Sequence, residues 1–306
     1  MTEATQAGER KPPVKVILDT DIGDDIDDTW ALAMLLGLPE RVDLSLVVTN
    51  TGDTTEKARL ATRILHCAGR SDIPVAIGLG RSDDPHNQTE WVGQWDIADF
   101  SGTVIEDGPG AIIDAVNARP GSVILAIGPQ TNLEAALQRD SSIASRARVV
   151  AMAGGVYRGY GGSRRRDAEY NIKADIPAAR AVLAAPWQKT WTPLDTCGTV
   201  KLSGRMYRQV ADSTHALSRI VIENYEAWAR RLRHPTLSSS VLFDTVAAYL
   251  TFDESLLKME TVNISINDDG HTLPEPHGSP VRCALEWRDR EAFERLLAGA
   301  LTGQRL

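Results

Sequence analysis

Apolar and polar positions follow one another along the chain in a repeating order: a short apolar run, a polar junction, then a helical stripe. Residues 14–18 form an apolar run of strand length, and within the helix predicted over 27–36 the stretch 29–36 is too apolar for an exposed helix. Residues 42–49 repeat the strand pattern. The helix predicted from about 55 to 68 lines Leu60, Ile64, Leu65 and Ala68 along one face. A third strand is predicted over 73–77, closed by Gly78 and Gly80, and strand–helix alternation of this kind predicts a parallel sheet with right-handed crossovers. Residues 81–109 lack periodicity, and a stretch of that length is more often functional than inert. Helices are predicted over 111–118, 131–138 and 177–185, and strands over 122–127, 148–153 and 189–194. From about 203 to 250 the pattern is helical, with a break at 235–240. Residues 260–266 and 281–287 read as strands around a Gly/Pro-rich turn, and 290–300 as a closing helix. No repeat, low-complexity tract or linker divides the chain, so the expected organisation is a disordered lead over 1–13 and a single α/β domain over 14–306.

The junction after the first apolar run changes the picture, because six aspartates crowd it: Asp19, Asp21, Asp24, Asp25, Asp27 and Asp28. Aspartate is a poor strand former and a mediocre helix former. Two carboxylates about 4 Å apart repel by roughly 4 kcal/mol at an effective dielectric near 20. Water, a shared proton or a bound cation relieves such crowding, and a hard divalent cation suits an all-oxygen site. Acidic loops are ordinarily solvated. This one lies between a buried-strand pattern and an apolar helix, at a strand end, where open α/β sheets bind ligands. Asp19 and Asp21 share a side if the backbone stays extended, and Asp27 and Asp28 open the next helix, where the dipole favours negative charge. An EF-hand loop counted from Asp19 fails, because its sixth and twelfth positions are Asp24 and Trp30. The strongest distant ligand candidate is Asp244. It interrupts the apolar segment from Val241 to Ala248, where a charge is expensive unless paired or metal-bound.

Composition narrows the partners. The 306 residues are 42% hydrophobic with a net charge of −8, which argues against nucleic acid or an anionic membrane. Cys67, Cys197 and Cys283 are few and far apart, as expected of a reducing compartment without a disulfide framework. The polar first thirteen residues show no signal-peptide pattern, and no apolar run is long enough to span a bilayer, so the expected location is cytoplasmic. Arg164-Arg165-Arg166 is expected to be a solvated face.

The stretch from Leu18 to Leu32 resembles the opening motif of the nucleoside hydrolase family of the inosine–uridine-preferring type, in its longer form Asp-Thr-Asp-Ile-Gly-x-Asp-x-Asp-Asp. It is less similar to the nucleophile loop of haloacid-dehalogenase-type phosphatases. Those have Thr or Val where this chain has Gly23, and they lack the Asp-Asp pair. Three further segments resemble the nucleoside hydrolases in order. The run from Ile124 to Leu133 is similar to their strand ending in Gly-Pro-Leu-Thr-Asn, Met152 to Gly155 with Glu169-Tyr170-Asn171 to their Met-Gly-Gly and Ala-Glu-Phe-Asn motifs, and Leu242-Phe243-Asp244 to their C-terminal ligand motif. The resemblance implies an α/β fold: an open, mostly parallel Rossmann-like sheet flanked by helices, with extra C-terminal helices and strands. It implies Ca²⁺-dependent hydrolysis of the N-glycosidic bond of ribonucleosides by a homodimer or homotetramer. The metal would be held by Asp21, Asp28, the Ile127 carbonyl and Asp244, with Asp21 also the general base. Ribose would be held by Asp27, Asp25, Glu169 and Asn171, with Met152 beneath the sugar and Asp53 nearby.

The departures from the family pattern are informative. Two extra residues separate Asp21 from Asp27-Asp28, which brings Asp24 and Asp25 into contention for the metal or the ribose. Gly52-Asp53 stands where many members have Gly-Asn. Phe243 replaces the His that some members use to protonate a purine leaving group, and Phe donates no proton. Two alternatives follow: a hydrolase of another N-riboside, or a non-catalytic Ca²⁺-dependent ribose or nucleoside binder. Tyr157, Tyr160, Tyr225 and Trp228 are candidates to stack on a base, and the helix over 220–233 with the 81–109 loop is expected to form a lid.

Overall fold

The first apolar run forms β1 (Val14–Thr20), whose last five residues are all buried, in the interior of a ten-stranded sheet. The computed structural model describes residues 12–80 and 86–304, so most of the expected N-terminal lead lies outside the described residues. The other strands are β2 (Val42–Thr49), β3 (Val75–Ala76), β4 (Val104–Ile105), β5 (Ser122–Ala126), β6 (Ala147–Met152), β7 (Gln188–Thr192), β8 (Leu257–Ile266), β9 (Thr272–Pro274) and β10 (Ser279–Trp287). Their spatial order is β4-β3-β2-β1-β5-β6-β7-β10-β8-β9. Pairing is parallel from β4 through to β10 and antiparallel where β8 joins β10 and β9 joins β8. The fold is thus α/β with a mostly parallel sheet flanked by helices, and the two long C-terminal strands extend that same sheet.

The parallel centre is buried on both faces, as crossover helices require. Val16 and Leu18 of β1 belong to one hydrophobic cluster and Ile17 to the other, the alternation expected of a pleated strand. All ten residues of the Asp27–Leu36 helix are buried, which accounts for its apolar density, and it packs on the Phe243–Leu250 helix. Strand order runs outward from β1 to β4 on one side and resumes with β5 on the other, so the C-terminal ends of β1 and β5 form the switch point where such sheets open a crevice.

Departures from the predicted elements are local. The third strand shrinks to two residues. Residues 86–109 hold a short helix (Thr89–Val92), a 3-10 turn (Ile97–Asp99) and the edge strand β4, while 81–85 lie outside the described residues. β7 stops at Thr192 because Pro193 has no N–H for the ladder, and Leu194–Cys197 turns into a helix instead. The Gly/Pro-rich turn contains β9, three residues ending in Pro274 that carry no readable period. Among the described residues, no helix is long and apolar enough to cross a membrane.

Candidate active site

Asp19, buried near the end of β1, ties the strand ends together. Its Oδ1 accepts from Asn50 Nδ2 (3.1 Å), just past β2, and from Asn132 Nδ2 (2.8 Å), at the start of the Thr131–Arg139 helix. Asn50 also donates to the Pro129 carbonyl and Asn132 to the Thr49 carbonyl. Burial pushes the Asp19 carboxyl up to about 7, against the two amide bonds that favour its charge. Gly128 must be glycine here: a Cβ would lie 2.7 Å from Asn50 Oδ1 and 2.8 Å from the Asp21 nitrogen.

The chain then turns through Gly23, at φ +109°, where a Cβ would meet His86 at 2.8 Å. This turn delivers Asp27 and Asp28 to the first turn of the next helix. Asp244, in the first turn of the Phe243–Leu250 helix, faces them, and its backbone N–H donates to Asp27 Oδ2 at 3.2 Å. Thr20 Oγ1 donates to Asp28. Carboxylate oxygens of Asp27, Asp28 and Asp244 all lie within 4.8 Å of one another, and all three residues are buried. Burial first, then mutual repulsion, holds these carboxyls well above the usual range. Asp21 is pushed up to about 7 by burial, while the Lys57 ammonium opposes the rise. A buried, all-oxygen donor set of this kind fits a hard divalent cation, whose charge would replace the protons.

The opposite wall comes from β5, β6 and the turn that follows. Asn171 Nδ2 donates to the Ile127 carbonyl (3.2 Å) and the Met152 carbonyl (3.1 Å). Glu169 caps the short Tyr170–Ala174 helix, accepting from the N–H groups of Gly154, Asn171 and Ile172. Burial raises its pKa even so. Together these segments enclose a cleft of about 350 Å³. It is lined by Asp21, Asp25, Asp27, Asp28, Ile127, Met152, Glu169, Asn171 and Asp244, the site residues expected from sequence apart from Asp53, and also by Asp24. Asp53 is not in the lining. Its carboxylate caps the Thr54–Cys67 helix, accepting from the N–H groups of Thr55 and Glu56.

The remaining wall is apolar and aromatic: Tyr160, Tyr170, Trp228, Leu232 and Phe243. Tyr160 meets Phe243 edge-on at 5.9 Å, and its hydroxyl accepts from the Tyr170 N–H. Of the expected stacking residues, Tyr160 and Trp228 reach the cleft. Tyr225 is wholly buried, stacked behind Trp228 at 5.9 Å, and Tyr157 lines a separate depression beside Asp195. The Ala216–Leu232 helix supplies Trp228 and Leu232 and is joined to the Thr89–Val92 helix by Trp91–Glu223 and Arg230–Glu90 contacts. Tyr170 stands in the sequence only as the middle of the Glu169-Tyr170-Asn171 motif, with no sign of its place in this wall, and neither Leu232 nor Lys57 is among the residues expected at the site. Lys57 lies three residues before Leu60 and seven before Ile64, on the face predicted to be buried.

At the switch point a buried acid cluster thus faces polar groups on one side and an aromatic wall on the other. The model of the family described as inosine-uridine preferring nucleoside hydrolase matches residues 16–295, and the chain belongs to that family. It is therefore an enzyme, a nucleoside N-ribohydrolase of a family that is metal-dependent in general. The chain is 28% identical over 291 residues to a probable uridine nucleosidase 2 of Oryza sativa subsp. japonica, covering 87% of this chain and 83% of that one. It is 29% identical over 280 residues to uridine nucleosidase 1 of Arabidopsis thaliana, covering 85% and 81%. A plant nucleoside hydrolase structure superposes with a TM-score of 0.81 at 24% identity, over 95% of this chain and 99% of the other, a likeness of fold.

Proposed function

We propose that this enzyme hydrolyses ribonucleosides to free base and ribose with Ca²⁺ as its metal, and that uridine is among its substrates. The observation that carries the reading is the convergence of Asp27 and Asp28, from the helix after β1, and Asp244, from the distant Phe243–Leu250 helix, on one buried point, with Asp21 lining the same cleft. Held by Asp21, Asp28, Asp244 and the Ile127 carbonyl, Ca²⁺ would orient a water and lower its pKa. Asp21 would act as the general base, accepting a proton from the attacking water. Asp25, Asp27, Glu169 and Asn171 receive ribose hydroxyls, and Met152 lies under the sugar. The ring of carboxylates stabilises the positive charge that develops on the ribosyl group as the bond to the base breaks. The aromatic wall receives the base. Phe243 offers no proton to it, which favours a leaving group that departs without a His acid. The names of the two plant uridine nucleosidases support uracil as that base.

The test is a panel of ribonucleosides and 2′-deoxynucleosides incubated with Ca²⁺, scored for free base and for reducing sugar, with Asp21→Ala as control. Free ribose from uridine, absent with Asp21→Ala and with the deoxy analogue, is the expected result. Turnover confined to another N-riboside would move the substrate. Ca²⁺ and ribose binding without turnover of any member would make the chain a binder and overturn the catalytic reading.

A further inference from the structure

The loop that carries Asp21 is held from beneath by a buried lysine that no part of the proposed reaction uses. Lys57 is 1% exposed and sits in the first turn of the Thr54–Cys67 helix. Its ammonium has three N–H donors and three partners: the Asp21 carbonyl (3.0 Å), the Asn50 carbonyl (3.3 Å) and the Asp24 carboxylate (2.7 Å). Asp21 and Asp24 are the two ends of one turn, closed by the Asp24 N–H donating to the Asp21 carbonyl at 3.3 Å. A single point charge therefore pins both ends of the turn and joins it to the end of β2. Asp53 in turn caps the helix from which Lys57 projects, and the Lys57 N–H donates to the Asp53 carbonyl at 3.0 Å. Among the described residues no Lys or Arg lines the cleft, and Lys57 acts on the acid cluster from behind it.

We propose that Lys57 is a positioning residue: by gripping the Asp21 carbonyl and the Asp24 carboxylate together, it fixes Asp21 against Asp28 and Asp244 at the distance the metal and the water require. This rests on the assignment of Asp21 as ligand and base. It also gives the longer form of the acidic motif a use, since Asp24 serves as the anchor for the lysine. With all three donors engaged, Lys57 has no proton to direct at the substrate.

A pure counter-charge makes the opposite forecast from a positioning residue, and that difference is the test. Removing a positive charge beside a cation site tightens cation binding if charge alone matters. If position matters, removing it weakens binding. The full-length protein and Lys57→Met are stripped of metal, checked for folding by circular dichroism, and titrated with Ca²⁺ by calorimetry. Both are then assayed for kcat and KM on the ribonucleoside that the unsubstituted enzyme turns over fastest. The expected result is Ca²⁺ affinity at least tenfold weaker, kcat at least 100-fold lower, and KM changed by less than threefold. Ca²⁺ binding that is equal or tighter, with kcat within threefold, overturns the proposal. Should Lys57→Met fail to fold, Lys57→Gln, which keeps an amide donor for the two carbonyls, is read against the same thresholds. Should the unsubstituted protein turn over no nucleoside, the hydrolase reading fails by itself, and the calorimetric arm alone decides the role of Lys57.

Discussion

Replacing Asp19 by asparagine isolates the cost of burying an acid where three strand ends meet. Asp19 is fully buried, accepts two amide hydrogen bonds on Oδ1, and has no partner on Oδ2. Burial moves its pKa from 3.8 to about 7. A folded-state pKa above the unfolded one means stability that is full below about pH 4 and lost as pH rises through 7. Some three pKa units at about 1.4 kcal/mol each make the loss about 4 kcal/mol, most of it between pH 5 and pH 8. Asparagine has the shape of the protonated acid. Its oxygen accepts from Asn50 and Asn132 as Oδ1 does, and its amide occupies the unpartnered side. Urea unfolding of both proteins in chelator at pH 5 and pH 8 reads the difference, and the other raised carboxyls, present in both, cancel. Asp19→Asn should match the unsubstituted protein near pH 4, and its advantage should grow by about 2–3 kcal/mol from pH 5 to pH 8. If Asp19→Asn is instead less stable, and more so at pH 8 than at pH 5, Asp19 is held as an ion and the two amides outweigh burial.

Two further outcomes follow from the acid cluster. Because Asp21, Asp27, Asp28 and Asp244 are all raised by burial, Ca²⁺ binding should release protons near pH 6. Calorimetry in two buffers of different ionisation enthalpy measures this, and an identical apparent heat in both would contradict it. Asp244→Asn removes one of three carboxylates that meet within 4.8 Å and should weaken Ca²⁺ binding at least 100-fold, about 2.7 kcal/mol, which direct titration checks.

The acid loop was legible because an apolar run followed by crowded aspartates marks a strand end, and Asp244 because a charge within an apolar segment is costly, whereas Ile127, Met152, Glu169 and Asn171 were read only through the family resemblance. The acid loop, Ile127, Met152, Glu169, Asn171 and Asp244 all reach the cleft. Residues whose task depends on a partner far along the chain were not legible. Asp53 looked like a site residue, yet Asp53-Thr54-Thr55-Glu56 also has the spacing of a helix-capping motif, and the structure uses it that way. Lys57 shares the apolar face of its helix, a sign of burial that a charged residue makes easy to pass over. Tyr225 and Trp228, three residues apart, share a helix face. Periodicity cannot tell which ring enters the core and which reaches the cleft, because that depends on how the Ala216–Leu232 helix packs on the neighbouring helices, Asp27–Leu36 among them. Asp19 and Asp21 were expected side by side, but Asp19 turns to Asn50 and Asn132, whose positions only the sheet order supplies.

The central claim is that the buried carboxylates hold a metal ion that makes the enzyme a hydrolase. Its most direct test is ribose release from uridine by metal-free protein as Ca²⁺ is added back. Activity should be absent in chelator and rise to saturation at one Ca²⁺ per chain. Full ribose release with chelator present would contradict the account.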